Sequence, residues 1–347
     1  MTQVFGPNRQ LVFSLENYSF QQNGTPLAVP SPQKALIIFN PISSAGNTET
    51  TADELGKSLA DHGIVVEVCK SEKKMKLYMR IADDIAACDL VVVVGGDGTV
   101  RKLLPLLGKT GTPVYVVPGG NESLFAHLYG MSANAEDLLQ AIACGKYLEQ
   151  FYGLISGHGI HGEKPFFIMA SMGFDSLTVK RIGKRKGPIS DSTYVWCGLS
   201  ALVSLFHPTV SVSVDEQTVI DHASGYLIVA NSSAYARNLQ LVPAASPSVD
   251  ELVIGFLPGA RRQHEVIKTV RMLQHKPAGL PLQYFAGRNI SLTLHQPSYP
   301  LQVDGDYFRN RDIEAGSTIK FSISPKPVRV LIQPHPADSR VKTLKAE

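Results

Sequence analysis

Four cysteines in 347 residues, Cys69, Cys88, Cys144 and Cys197, stand far apart and share no metal-ligand spacing. Their scarcity excludes a disulfide-stapled small scaffold and a cysteine zinc site, and predicts reduced thiols in a cytosolic protein. Long apolar runs are also missing. The most apolar segment, 194–206, falls well short of the ~20 residues that cross a bilayer as a helix, so it reads as a buried helix. Net charge is small, +3 with 33 Lys and Arg against 30 Asp and Glu, which gives no reason to expect a nucleic-acid partner. After Met1 no basic stretch leads into an apolar core and cleavage site, so the expected location is cytoplasmic and any membrane contact peripheral. Repeats and low-complexity tracts are absent as well.

What remains is a globular composition, 44% hydrophobic and 18% charged, long enough for two domains each with its own core. Residues 1–33 alternate weakly around Leu11, Val12 and Phe13 and carry the turn Asn23-Gly24, which predicts an N-terminal arm or hairpin. From Lys34 the pattern becomes short apolar runs at 35–39, 64–68, 90–94 and 113–117, separated by helical stretches near 50–62, 75–87 and 101–107. Uninterrupted apolar strands are buried on both faces, so 34–147 predicts a doubly wound, mostly parallel α/β domain.

Beyond that point strands prevail, at 166–170, 210–214, 225–230, 252–256, 290–294, 319–323 and 328–332, with helical exceptions at 194–206 and 264–274. The expectation is a β-rich sandwich domain over 148–333, followed by a polar tail over 334–347.

The chemistry is expected at the carboxyl ends of the parallel strands, where loops and helix N-termini present unpaired amides. Gly95-Gly96-Asp97-Gly98-Thr99 follows one apolar strand, and Pro118-Gly119-Gly120-Asn121-Glu122 follows the next. Glycine removes side-chain bulk so that backbone N–H groups can approach phosphate oxygens, and the helix opening near Thr99 adds its positive end. The first turn also suits a tight strand-to-helix connection capped by Asp97, and the second a plain turn. Neither has the spacing of a dinucleotide fingerprint or a Walker loop. Near the C-terminus, Asp304-Gly305 reads locally as a hairpin turn.

Four blocks share an order and spacing: Asn40-Pro41-Ile42-Ser43-Ser44-Ala45-Gly46, the turn at Gly95, the stretch 118–126, and Val303-Asp304-Gly305-Asp306. Together they resemble the diacylglycerol kinase catalytic family, which includes sphingosine kinases and bacterial lipid kinases, over roughly 34–332. The resemblance implies a kinase that uses ATP and Mg2+ to phosphorylate a membrane lipid hydroxyl, of diacylglycerol or a sphingoid or ceramide-like lipid. It implies that Asn40, Gly95, Gly96, Asp97, Gly98, Thr99 and Asn121 hold the nucleotide, and that Asp97 meets the magnesium-phosphate region. Asp306, in place of the commoner glutamate, stands at the general-base position. A loop like that of some bacterial relatives would hold magnesium through Asp250 and the carbonyls near Pro247 and Leu252, with Glu251 where a glycine is familiar.

Lys180, Arg181, Lys184, Arg185 and Lys186 form the densest basic run and suit either anionic headgroups or plain solvation. Arg261, Arg262, Lys268 and Arg271 give a second basic surface, and a homodimer is left open. NAD kinase shares the Gly95 turn and the two-domain plan, but its threonine-proline-threonine-glycine-serine block is not found. A non-catalytic nucleotide or lipid sensor also stays open, because Asn121, Ser123, Leu124 and Tyr235-Ala236-Arg237 depart from the patterns common among active relatives.

Overall fold

The computed structural model describes residues 25–43, 46–71, 75–120, 123–173, 176–179, 207–233, 242–259, 282–297, 300–308 and 314–333. The predicted arm before residue 25, the helices at 194–206 and 264–274, both basic clusters, Asn121, the 235–237 stretch and the tail after 333 lie outside the described residues. The rest separates into two compact units. One takes its described residues from 25–151 and 325–333, the other from 152–324.

The first unit is a three-layer α/β body. Strands β1 (Leu27–Ala28), β2 (Lys34–Phe39), β3 (Val65–Lys70), β4 (Leu90–Gly95), β5 (Val114–Pro118) and β6 (Lys146–Gln150) share one sheet with a last strand, Val328–Leu331. Its order is β1, β6, Val328–Leu331, β5, β4, β2, β3. The five strands from β3 to Val328–Leu331 run parallel; at one edge β6 pairs antiparallel to them, and β1 pairs antiparallel to β6.

Ala35 to Phe39, Leu90 to Val94 and Val114 to Val117 are all buried, as continuous apolar runs covered on both faces must be. The helices between them are α1 (Thr48–Asp61), α2 (Met75–Ala86), α3 (Asp97–Thr110), α4 (Leu124–Leu128) and α5 (Ala135–Cys144). On α1, Ala52, Leu55 and Leu59 form the buried stripe and Gly56 lets the helix approach Ile37, Val66 and Val68. Gly63, at φ +80°, ends that helix. Its N–H donates to Ala60 and that of Ile64 to Leu59, so the left-handed glycine expected as a stop closes a Schellman motif.

Two sequence expectations change here. The helix expected at 101–107 begins at Asp97, because the glycine turn feeds directly into its first turn. The strand Val328–Leu331, expected in the second domain, inserts between β6 and β5 in the first sheet. Strand propensity cannot say which sheet a strand joins; Val328, Val330 and Leu331 are buried by the neighbours they find there. The expected boundary at 147/148 also falls inside β6. The chain leaves the first unit at 151 and returns at 325. The two crossing segments are tied on the second-unit side, where Ser324 Oγ accepts from the Tyr152 N–H and the Ser324 N–H donates to the Tyr152 carbonyl.

The second unit is antiparallel. Its strands are β7 (Gly153–Gly157), β8 (Ile160–Phe166), β9 (Met169–Met172), β10 (Thr209–Val214), β11 (Gln217–Ala230), β12 (Leu252–Pro258), β13 (Gln283–Gly287), β14 (Asn289–Leu294), β15 (Leu301–Val303), β16 (Asp306–Phe308) and β17 (Thr318–Ile323). Val328–Leu331 is then β18 in chain order. The long strand β11 serves two sheets: up to Ser224 it pairs with β10, and from Gly225 onward with β12 and, over Leu227–Ala230, with β9. Register shifts in the β10–β11 pairing mark the bend, the usual device by which one strand turns a corner between packed sheets. Beside β10, β14 and β17 alternate buried and more exposed positions, whereas β9 and β12 are buried almost throughout. The expected combination of a mostly parallel α/β domain with a β-rich domain is therefore what the chain builds.

Candidate functional site

In the first sheet the chain passes from β2 outward to β3, then returns to the other side of β2 for β4 and β5. The order reverses between β2 and β4. A crevice opens beyond the carboxyl ends of strands at such a reversal, because the flanking connections lead to opposite faces. Asn40 follows β2, and the turn Gly95 to Asp97 ends β4, so the two nucleotide blocks proposed from sequence flank the same switch point.

Asn40 is fixed on several sides. Its N–H donates to the Val94 carbonyl at 3.0 Å, its Nδ2 to Thr99 Oγ1 at 3.1 Å, and its Oδ1 accepts from the Ile42 N–H at 3.2 Å. Thr48 Oγ1 at the start of α1 donates to the Asn40 carbonyl at 2.8 Å. The side chain therefore organises the β2 loop and the first turn of α3 around the crevice.

The glycines have a second reason beyond the one read from sequence. A Cβ on Gly120 would lie 2.8 Å from the Gly96 Cα, and one on Gly119 would lie 3.1 Å from the Gly95 Cα. The two turns pack backbone on backbone, joined by the Gly119 N–H donating to the Gly95 carbonyl at 3.1 Å. Ser43 Oγ donates to the Gly119 carbonyl and adds the β2 loop to the assembly.

Asp97 forms the other connection. Its Oδ2 accepts from the Leu124 N–H at 2.9 Å and its Oδ1 from the Phe125 N–H at 2.8 Å. One carboxylate thus sits in the first turn of α3, whose dipole favours a negative charge there, and caps the start of α4. Ser123, at φ +46° and buried, accepts from the Gly120 N–H at 3.1 Å. In α3 the N–H groups of Thr99 and Val100 donate to the Gly96 carbonyl. Those of Asp97 and Gly98 precede any intrahelical acceptor, which suits them to phosphate oxygens.

Magnesium fits this donor set in one way. A carboxylate already accepting two N–H groups cannot cage the ion, but magnesium retains waters and rides on nucleotide phosphates, needing one or two protein oxygens at most. Among the described residues no group of three or more His, Cys, Asp or Glu side chains could hold a metal. The loop proposed for magnesium gives Asp250 a protein partner, Arg288 Nη1 at 3.0 Å from Oδ2. Leu252 opens β12 with its side chain buried, and Pro247 lies among tight turns.

In the second unit Asp304 and Gly305 have φ +48° and +77° and link β15 to β16 as a two-residue hairpin, as the Asp-Gly pair predicts. Asp306 is the exposed first residue of β16, in register with Val303. Sequence reasoning missed the residues that hold these turns: Ser43, Thr48, Ser123, Gln302 and, in its structural role, Asp304. All but Thr48 and Gln302 lie within the four blocks, so their positions were in view while their partners were not.

Residues 34–151 match the model of the diacylglycerol kinase catalytic domain. The match spans about a third of the chain. It contains both glycine turns and Asn40, and it supports a kinase function of the lipid kinase type.

The chain is 26% identical over 257 residues to a diacylglycerol kinase of Mycobacterium tuberculosis, covering 69% of this chain and 82% of that protein. It is 22% identical over 209 residues to an uncharacterised Synechocystis protein, covering 57% of this chain and 47% of the relative. In fold it is similar to the crystal structure of a diacylglycerol kinase from Bacillus anthracis, with TM-score 0.60, 14% identity, 88% of this chain and 98% of that one. Yeast NADH kinase complexed with NADH shares the fold at TM-score 0.50 and 12% identity, covering all of this chain and 94% of that one. The fold alone therefore does not separate lipid from dinucleotide acceptors. No helix among the described residues is long and apolar enough to cross a membrane.

Proposed function

We propose that the protein is an ATP-dependent lipid kinase that transfers the γ-phosphoryl group to the hydroxyl of a membrane lipid of the diacylglycerol or sphingoid class. The observation that carries this is the junction at the β2–β4 switch point, where two glycine turns interlock and leave the Asp97 and Gly98 amides at the start of α3 for phosphate oxygens. The match of residues 34–151 and the similarity to the mycobacterial enzyme over 69% of the chain, more than either unit alone supplies, favour the lipid over the dinucleotide acceptor.

In the proposed reaction the lipid oxygen bonds to the γ-phosphorus in line as the bond to the bridging β–γ oxygen breaks, giving ADP and a lipid phosphate. Magnesium, when bound with ATP, neutralises charge on the phosphate oxygens. Backbone amides of the Gly95 to Thr99 turn hold the phosphates, and Asp97 keeps the second turn in place. Asp306 orients the lipid hydroxyl and takes its proton late in the transfer, as a loose transition state with little bonding to the attacking oxygen requires. Lipid access would be by peripheral contact from the cytoplasmic side.

The test is transfer from labelled ATP with magnesium to diacylglycerol, sphingosine, ceramide and NAD, comparing the unaltered chain with Asp97→Asn and Asp306→Asn. Transfer to one lipid, lost in both variants, is expected. Phosphorylated NAD would assign the dinucleotide reaction instead, and ATP binding with no transfer to any acceptor would assign a sensor.

A further inference from the structure

The hairpin that carries Asp306 is tied to a neighbouring segment by a carboxylate of its own turn that the proposed chemistry does not use. Asp304 Oδ2 accepts from the Phe167 N–H at 2.8 Å, and its Oδ1 accepts from the N–H groups of Ile168 at 2.8 Å and Met169 at 3.0 Å. Its own N–H donates to the Met169 carbonyl at 2.9 Å. Three amides converge on this one carboxylate.

The segment it grips is satisfied on its other side as well. Asn231 Nδ2 donates to the Phe167 carbonyl at 2.8 Å, and the N–H groups of Asn231 and Ser232 donate to the Ile168 carbonyl at 2.9 and 3.1 Å. The link between β8 and β9 is therefore a rigid anchor fastened to the end of β11. Buried Gln302 braces the same turn from beneath: its Oε1 accepts from the Gly305 N–H at 2.8 Å, and its Nε2 donates to Ser171 Oγ at 2.8 Å.

A two-residue hairpin needs none of this to turn; Asp-Gly adopts the left-handed pair of conformations by itself. Hydrogen bonds to a charged acceptor are also about twice as strong as neutral ones, and converging three of them on a hairpin tip fixes where the next residue starts. The residue after the tip is Asp306.

We infer that Asp304 is a positioning residue, whose carboxylate locks the hairpin tip to the Phe167–Met169 amides and so sets the place of Asp306 for proton transfer. The inference rests on the reading of Asp306 as the base given under Proposed function. Asparagine tolerates positive φ as aspartate does, so Asp304→Asn removes the charge and one acceptor without straining the turn. A displacement of about 1 Å at a reacting group can cost on the order of a hundredfold in rate.

The experiment is a double-mutant cycle on the full chain with the lipid acceptor, measuring kcat and KM for ATP in Asp304→Asn, Asp306→Asn and the pair, with amide hydrogen exchange of the 167–169 segment. The expected result is a kcat lowered roughly tenfold to a hundredfold in Asp304→Asn with KM for ATP unchanged, faster exchange at 167–169, and no further loss when Asp304→Asn is added to Asp306→Asn. Should Asp304→Asn fail to fold, Gln302→Met loosens the same tip from its other side and enters the cycle in its place.

Equal losses in both backgrounds, or an Asp304→Asn enzyme with unaltered kcat beside an inactive Asp306→Asn, overturn the positioning role and leave Asp306 standing. A fully active Asp306→Asn removes the base itself, and the inference with it.

Discussion

Gly120→Ala tests the packing of the two glycine turns directly. The added methyl would stand 2.8 Å from the Gly96 Cα, where non-bonded carbons settle at about 3.5–4.0 Å. The obstacle is backbone, which cannot swing aside as a side chain would, so the turns must part by about 0.7–1.2 Å. Overpacking of this kind costs about 1–3 kcal/mol. Parting the turns would also strain the Gly119 N–H bond to the Gly95 carbonyl and the two amide bonds to Asp97.

The expected outcome is a lower melting temperature by circular dichroism together with nucleotide affinity, by calorimetry, reduced on the order of tenfold to a hundredfold. Gly119→Ala, whose contacts begin at 3.1 Å and include the movable Thr48 Cγ2, should show a smaller version of both. Unchanged stability and affinity in Gly120→Ala would refute the claim that the phosphate site depends on the turns meeting backbone to backbone.

Gly56→Ala should do the reverse: its methyl would find ordinary contacts at 3.7 Å in the interior of α1, and alanine is favoured there by about 1 kcal/mol, so the melting temperature should rise. Asp97→Ala leaves the Leu124 and Phe125 amides without their acceptor and should cost about 2–4 kcal/mol, with faster hydrogen exchange at both; Asp97→Asn keeps one acceptor oxygen and should cost about half as much. Burial pushes Tyr152 and Tyr284 up to about 12 from the ordinary 10, so the folded state retains their protons after the unfolded chain has lost them. Stability is then fully present below pH ~10 and falls between pH ~10 and ~12, which absorbance of tyrosinate during denaturant titration should follow, with Tyr152→Phe flattening the decline.

The elements of the first sheet and the glycine turns were legible in the residues themselves. Runs such as 90–94 admit few structures other than a strand covered on both faces, and Gly63 marks a helix end because φ +80° suits little else. Asp-Gly at 304–305 likewise specifies its hairpin locally.

What the residues could not show was partnership at long range. The place of β18 between β6 and β5 depends on a return of the chain after the whole second unit, and nothing in Val328–Leu331 names its neighbours. Asp97 and Asp304 look alike in sequence, each a carboxylate beside glycine, and only the fold brings amides 27 and 137 residues away onto them. The local chain determined where the backbone turns and where it is buried, since those follow from φ preference and apolar pattern; the tertiary structure decided which carboxylate grips a loop and which stands exposed at β16.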